Sequence, residues 1–248
     1  MRIQICTRAS TFVACCCMST DGDDGSSAGM IRHHFAEGIG EVVLNRPSKR
    51  NALTGAMLDG LVAAVRDLRG EPRLRALIVW GEGPVFCAGA DLDSWHQLSG
   101  VAEHQAWADK GKQAFGSLRS APVPVIAAIQ GGAYGGGVEL ALHCDFRILA
   151  ESGCLALPEV SRGWLPDWGA LELLPPLLGH ARAMDLIVTG RPICATQALG
   201  IGLATEVCLD PLARARELAY ELAQVPTDVL ARAIAALRPR HILGGHGD

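Results

Sequence analysis

Two glutamates, Glu139 and Glu159, are the side chains of this 248-residue chain best placed by their neighbours to move protons. Glu139 closes the stretch Gly131 to Glu139, GGAYGGGVE, two residues past the consecutive glycines Gly135 to Gly137. Glycine adopts backbone dihedrals other residues avoid and lets a ligand approach the main chain closely. The apolar run from Val138 to Leu142 reads as a helix, and a helix start leaves backbone N–H groups free to bind a negatively charged oxygen. That is half of an oxyanion hole. At the same helix start the dipole favours an ionised carboxylate, so Glu139 is expected to act as a base. The alternative is a glycine packing corner beside a helix-starting glutamate. Glu159 lies among Leu155, Leu157, Pro158 and Val160, where desolvation raises a carboxyl pKa and suits an acid.

The elements that must hold these groups follow from pattern. Ile31 to Ala36 and Ile39 to Leu44 read as strands around a Glu-Gly turn. NRPSKRN, residues 45 to 51, is a polar loop. Thr54 caps a helix to about Leu68, with Met57, Leu58, Leu61, Val62 and Val65 at helical spacing. A buried strand at 75 to 80 leads into the turn Gly81 to Asp91, GEGPVFCAGAD. An amphipathic helix spans about 103 to 118, and Pro122 and Pro124 precede the strand Val125 to Ile129 that feeds the glycine stretch. Strands at 146 to 150 and 155 to 157 follow, then helices near 168 to 178, 181 to 188, 195 to 200, 212 to 224 and 227 to 237. Alternation of strands and helices to residue 150, then mostly helix, predicts an α/β core followed by a helical C-terminal region.

Composition narrows the function classes. Hydrophobic residues make up 49% and charged residues 19%, as in a folded globular protein. The net charge of −4 and the absence of a basic stripe argue against nucleic acid as a partner, and no apolar run reaches a membrane span. Nine cysteines include the adjacent Cys15, Cys16 and Cys17 but no CxxC pair, which suits free thiols in a reducing cytoplasm better than a disulfide framework or a metal site. Cys87, Cys144 and Cys208 read as small buried hydrophobes. Residues 1 to 29 read as a disordered extension, with Met30 opening the folded part; a lipobox-like Val13-Ala14-Cys15 is the signal-peptide alternative, against which Arg8 and Ser10 interrupt any apolar segment.

Three blocks, LNRPSKRNAL from Leu44, FCAGADL from Phe86 and GGAYGGGVE from Gly131, resemble the crotonase, or enoyl-CoA hydratase/isomerase, superfamily, over about residues 31 to 225. The resemblance implies a crotonase-like spiral of ββα turns at 30 to 190, carrying an acyl-CoA site, and a helical region at 191 to 248 that forms a homotrimer or dimer of trimers. It also implies an acyl-CoA thioester as substrate, with coenzyme A as part of it, no metal or redox cofactor, and a place in fatty acid metabolism. Matching the motifs puts the oxyanion donors at the backbone N–H groups of Ala90 and Gly136. The paired glutamates then suit hydration of a trans-2-enoyl-CoA, Glu139 taking a proton from water and Glu159 delivering one to C2. Coenzyme A is expected along Lys49, Arg50, Ala52, Ala88, Asp91 and Leu92. GGAYGGG fits neither the dinucleotide fingerprint nor the phosphate-binding P-loop.

Two departures from the family pattern bear on this reading. Many hydratases have a PGAGGT-like turn where this chain has LPDWGA from Leu165, and Asp167 falls where dienoyl-CoA isomerases carry a catalytic aspartate. Asp167 therefore caps a helix starting at Trp168, which is the favoured expectation, or shuttles a proton in an enoyl- or dienoyl-CoA isomerase together with Glu159. Tyr134, Trp164 and Trp168 are expected to wall the acyl pocket, or else to be core aromatics. His143 is expected to be structural, and His33 and His34 point to opposite faces of a strand. The family usually continues for some tens of residues past Leu237, so the C-terminal region reads as shortened. A weakly catalytic acyl-CoA-binding subunit is the third reading.

Overall fold

A computed structural model of the protein describes residues 30–238. The expectations for residues 1 to 29 and for the last ten residues lie outside the described residues. Strands β1 (Ile31–Ala36) and β2 (Ile39–Leu44) form a hairpin, and α1 (Gly55–Arg69) follows with Thr54 Oγ1 accepting the Met57 N–H at 3.2 Å. Then come β3 (Ala76–Gly81), α2 (Leu92–His96), α3 (Gly100–Arg119), β4 (Val125–Ile129), β5 (Gly132–Tyr134) and α4 (Gly136–Leu142). The chain continues through β6 (Phe146–Ala150), β7 (Cys154–Ala156), α5 (Ala170–Leu178), α6 (His180–Thr189), β8 (Ile193–Cys194) and α7 (Ala195–Gly200). It closes with β9 (Glu206–Cys208), α8 (Pro211–Ala223) and α9 (Thr227–Leu237).

The main sheet runs β1-β2-β3-β4-β6-β9, parallel apart from the β1–β2 hairpin. Its central strands are nearly continuous apolar runs because both faces are covered. Leu77, Val79, Val125 and Ala127 face the larger core with Met57, Leu61 and Phe115, whereas Ile78, Ile126, Ala128 and Ile148 meet Ala215 and Ala219 of α8. A smaller sheet, β5-β7-β8, stands beside it, and the single bridges Leu53↔Ala90 and Cys87↔Ala133 extend its pattern to the two earlier turns. Each turn of chain thus gives one strand to the main sheet and one extended segment to the second layer before its helix, which is the expected spiral of ββα turns.

The C-terminal region is mostly helical, with two short strands that the sequence reading did not include: β8 pairs with β7, and β9 forms an edge of the main sheet beside β6. At two and three residues these strands are too short to carry a periodic signal. Cys208, expected to be buried, is only half-buried because it ends that edge strand. Helix α9 has no fully buried residue, and its C-cap Arg238 ties it down. The Arg238 guanidinium contacts both Asp145 carboxylate oxygens, at 2.8 and 2.5 Å, and the carbonyls of Arg119, Ala121 and Val123. Removing one member of a well-buried ion pair strands the other, so Arg238→Ala is expected to lower stability by about 3 kcal/mol. Urea denaturation of the two proteins measures this, and equal midpoints would contradict it.

Candidate active site

The two glycine-bearing turns meet at the N-terminus of α4. Gly89, at φ +91°, and Gly135, at φ +52°, hold conformations that side chains resist, and each lies against the other's turn or a catalytic candidate. A Cβ on Gly89 would stand 2.6 Å from the Tyr134 carbonyl oxygen and 3.2 Å from the Gly136 nitrogen. A Cβ on Gly135 would stand 2.5 Å from Glu159 Oε1. The Cβ position of Gly136 is 3.6 Å from the Ala90 nitrogen, so the two expected donors are neighbours. The Leu53 N–H bonds Gly89 O at 2.8 Å and the Asp91 N–H bonds Leu53 O at 2.9 Å, which turns the intervening Ala90 N–H the other way. Among the described residues, neither the Ala90 N–H nor the Gly136 N–H donates to a backbone carbonyl. Two adjacent N–H groups are thus available to one oxygen.

Glu139 and Glu159 converge on the same corner. Glu139 is 2% exposed, and its Oε1 accepts the N–H groups of Trp168 at 2.8 Å and Ala170 at 3.0 Å. It therefore caps the start of α5 from across the site. Burial nevertheless pushes its pKa up to about 8, with the charges of Glu159 and Asp167 adding to the shift and the two donors opposing it. This reverses the expectation that Glu139 ionises easily: desolvation outweighs the helix dipole on which that expectation rested. Glu159 is also raised, to about 7, by burial first, with its own N–H and Arg162 opposing and Asp167 adding. Its Oε2 is buried and has no hydrogen-bond partner among the described residues. Interacting acids titrate as a pair, so the proton they retain near neutrality belongs to both. Glu139, with the higher pKa, holds that proton more of the time; when it passes to Glu159, the charge left on Glu139 is met by the two donors at Oε1.

Asp167 joins the glutamates and does not cap a helix. α5 begins at Ala170, its N-cap is Gly169, and no side chain of its own segment bonds its first turn. Glu139 has taken that task. Asp167 is half-buried with its pKa raised by burial, partly offset by Lys112, and its charge is felt by both glutamates. His143 is a strut: burial holds its pKa down at about 4, and its Nδ1–H donates to the Glu139 carbonyl at 2.9 Å.

The loops expected to carry coenzyme A lie side by side, with the Ala88 N–H donating to Arg50 O at 2.9 Å. Lys49 is half-buried with its Nζ 3.5 Å from Asp93, and Arg50 and Leu92 are exposed. Ala52 and Ala88 are half-buried along the same edge. Asp91 departs from expectation. Its carboxylate is 2.6 Å from Arg46 Nη1 and accepts the Ser94 N–H at 2.8 Å, so it caps α2 inside the fold instead of facing a ligand. Sequence reading also missed Asn51, fully buried at φ +56°, whose amide bonds the carbonyls of Glu82, Val85 and Phe86 and shapes the Ala90 turn. The left-handed tolerance of asparagine in a loop is the signal that could have found it.

A cavity of about 370 Å³, lined by Trp80, Glu82, Gln130, Asp210 and Pro211 among others, contains none of these residues. Among the described residues no group of three His, Cys, Asp or Glu is placed to hold a metal ion, and no helix is long and apolar enough to cross a membrane.

Residues 34–241 match the family model described as enoyl-CoA hydratase/isomerase. The chain is 40% identical over 207 residues to the bovine (Bos taurus) enoyl-CoA hydratase domain-containing protein 2, mitochondrial, covering 80% of this chain and 70% of that protein. The crystal structure of an enoyl-CoA hydratase from Bacillus anthracis superposes with a TM-score of 0.80 at 34% identity, over 84% of this chain and 81% of that one. A structure from Thermobifida fusca YX in complex with CoA matches with a TM-score of 0.78 at 32% identity, over 85% and 84% of the two chains.

Proposed function

The chain belongs to the enoyl-CoA hydratase/isomerase family, and from that premise we propose that it adds water across the double bond of a trans-2-enoyl-CoA. The observation that carries this reading is the pair of buried Glu139 and half-buried Glu159, both raised toward neutrality, beside two backbone N–H groups that donate to no backbone carbonyl among the described residues. The thioester oxygen accepts from Ala90 N–H and Gly136 N–H, which polarises the conjugated system and holds the negative charge that develops on it. The productive form of the pair is the less populated one, in which Glu159 rather than Glu139 holds the shared proton; in it Glu139 takes a proton from water as the oxygen bonds C3, and Glu159 gives its proton to C2. The water is thereby divided across the bond, and the pair ends with its proton on the other member. Lys49 and Arg50 suit the phosphates of coenzyme A, with Ala52, Ala88 and Leu92 along the thioester arm. The reaction needs acid, base and N–H donors, and coenzyme A enters only as part of the substrate.

Enoyl- or dienoyl-CoA isomerisation is the second reading, favoured by one observation: Asp167 is coupled to both glutamates and is not a helix cap. A third acid near the acyl chain suits proton transfer to a more distant carbon. An acyl-CoA-binding subunit of low activity is the reading left if neither reaction occurs. Exposed apolar residues on α5, α6 and α7, namely Leu171, Leu177, Met184, Val188 and Leu199, support a homotrimer or dimer of trimers. Free thiols at Cys87, Cys144, Cys154, Cys194 and Cys208 support a reducing compartment, the cytoplasm or the matrix of an organelle.

The test is the loss of conjugated-enoyl absorbance when the protein meets a trans-2-enoyl-CoA. Hydration predicts rapid loss; appearance of that absorbance from a 3-enoyl-CoA, dependent on Asp167, would favour the isomerase. Neither change with intact CoA-ester binding would leave the binding subunit. The pH profile carries a second expectation. Well below about 7 both carboxyls are protonated and no base remains; well above about 8 both are ionised and no acid remains. kcat/KM should therefore be bell-shaped with its maximum near 7 to 8. A plateau extending unchanged through both limbs contradicts the paired role.

A further inference from the structure

Four of the five tryptophans of the chain gather around the candidate site: Trp95, Trp107, Trp164 and Trp168. They form two groups. Trp95 and Trp164, half-buried and 5.4 Å apart between ring centroids, lie at the surface with His96 and His104. Trp168 belongs to the inner group and is 3% exposed. Its ring lies 5.7 Å from Trp107 and 5.4 Å from Phe115, nearly perpendicular to the latter.

The indole fills a gap between two helices that glycines keep open. A Cβ on Gly136 of α4 would fall 2.5 Å from Trp168 Cζ3, and one on Gly111 of α3 would collide with Nε1 and its ring neighbours. The plate therefore reaches from the oxyanion donor Gly136 across to α3. Its buried Nε1–H has no partner among the described residues, so the ring is held there by its width and flatness. The side chain also begins at the reacting centre, since the Trp168 backbone N–H is the one that holds Glu139 Oε1 at 2.8 Å.

We propose that Trp168 determines acyl-chain length, its indole closing the space beyond C3 and restricting the protein to short-chain enoyl thioesters. The inference rests on the hydratase reading for the position of C3 beside the carboxylates. Carbons beyond C3 must leave past the residues that back those carboxylates, and on the Glu139 side that residue is Trp168. A long chain meets the indole wedged between α3 and α4, with Trp107 and Phe115 behind it. A short chain ends before it.

The experiment compares kcat/KM for crotonyl-CoA and trans-2-decenoyl-CoA in the wild-type protein, Trp168→Ala and Trp168→Phe, with competition binding of the unreactive butyryl-CoA and decanoyl-CoA alongside. Wild type should prefer the short ester by at least about tenfold, and Trp168→Ala should move the ratio toward the long one by about tenfold or more. Trp168→Phe should give a smaller shift in the same direction, and it carries the test if the alanine variant does not fold. Equal use of both esters by wild type, or an unchanged ratio in a folded variant, overturns the proposal and routes the chain past Trp95 and Trp164 instead. Should wild type turn over neither ester yet bind butyryl-CoA better than decanoyl-CoA, with that preference lost in the variants, the hydratase reading fails while the length limit stands.

Discussion

Glu139→Gln and Glu159→Gln are each expected to lower kcat/KM for trans-2-enoyl-CoA hydration by about 10²- to 10⁴-fold. In the proposed mechanism each removes one half of a proton exchange that the other half cannot complete alone. Their effects should not add: once either partner is gone, the double variant loses little more. The fold gives a reason to trust these variants. In Glu139→Gln the introduced amide retains a carbonyl oxygen to accept the Trp168 and Ala170 N–H groups, so the start of α5 stays capped. The stability sign also favours them. Both carboxyls have folded pKa values raised above the ordinary 4.5, so the stability linked to their protonation is full below that value and is lost as pH rises through about 7 and 8. A neutral amide escapes that loss, and the variants should melt no lower than wild type at alkaline pH. Hydration at the wild-type rate in a folded Glu139→Gln protein would sink the paired mechanism.

Ala90→Pro should lower kcat/KM by about 100-fold or more, equivalent to roughly 3 kcal/mol of transition-state stabilisation, with much less change in CoA-ester affinity. Proline deletes the N–H while keeping the chain length, and this N–H makes no bond to a backbone carbonyl among the described residues, so no such bond within the fold is lost. The neighbouring bridge to Leu53 uses the groups of Gly89 and Asp91, which remain. In the proposed reaction the charge facing Ala90 and Gly136 is largest in the transition state, so the deficit should appear in kcat more than in KM. Single-turnover rates and the melting temperature, measured together, separate this loss from unfolding. A folded variant with an unaltered rate would remove Ala90 from the oxyanion site.

Much of the frame was legible in the sequence because its signals are local. The Thr54 cap, the spacing of Met57, Leu58, Leu61 and Val65, and the apolar runs of β3 and β4 each depend on residues within a few positions of one another. The glycine turns and the helix carrying Glu139 were legible for the same reason, and so was the convergence of the two turns once the motifs were matched to a family. Where the sequence reading erred, distant parts of the chain met. The dipole at the start of α4 predicts an ionised Glu139, but Trp168 and Ala170 arrive from another turn and bury it, and burial outweighs the dipole. Asp167 looks like a cap until Glu139 takes the α5 start from across the site. Asp91 looks ligand-facing until Arg46 turns it inward. β8 and β9 gain strand character only from their partners β7 and β6. The fit of the Trp168 indole between Gly111 and Gly136 needs α3, α4 and the loop before α5 placed together. Residue types and spacing determined which groups could do the chemistry. Solvent exclusion and through-space charge, which exist only after the chain has packed, decided their protonation and the space left for a substrate.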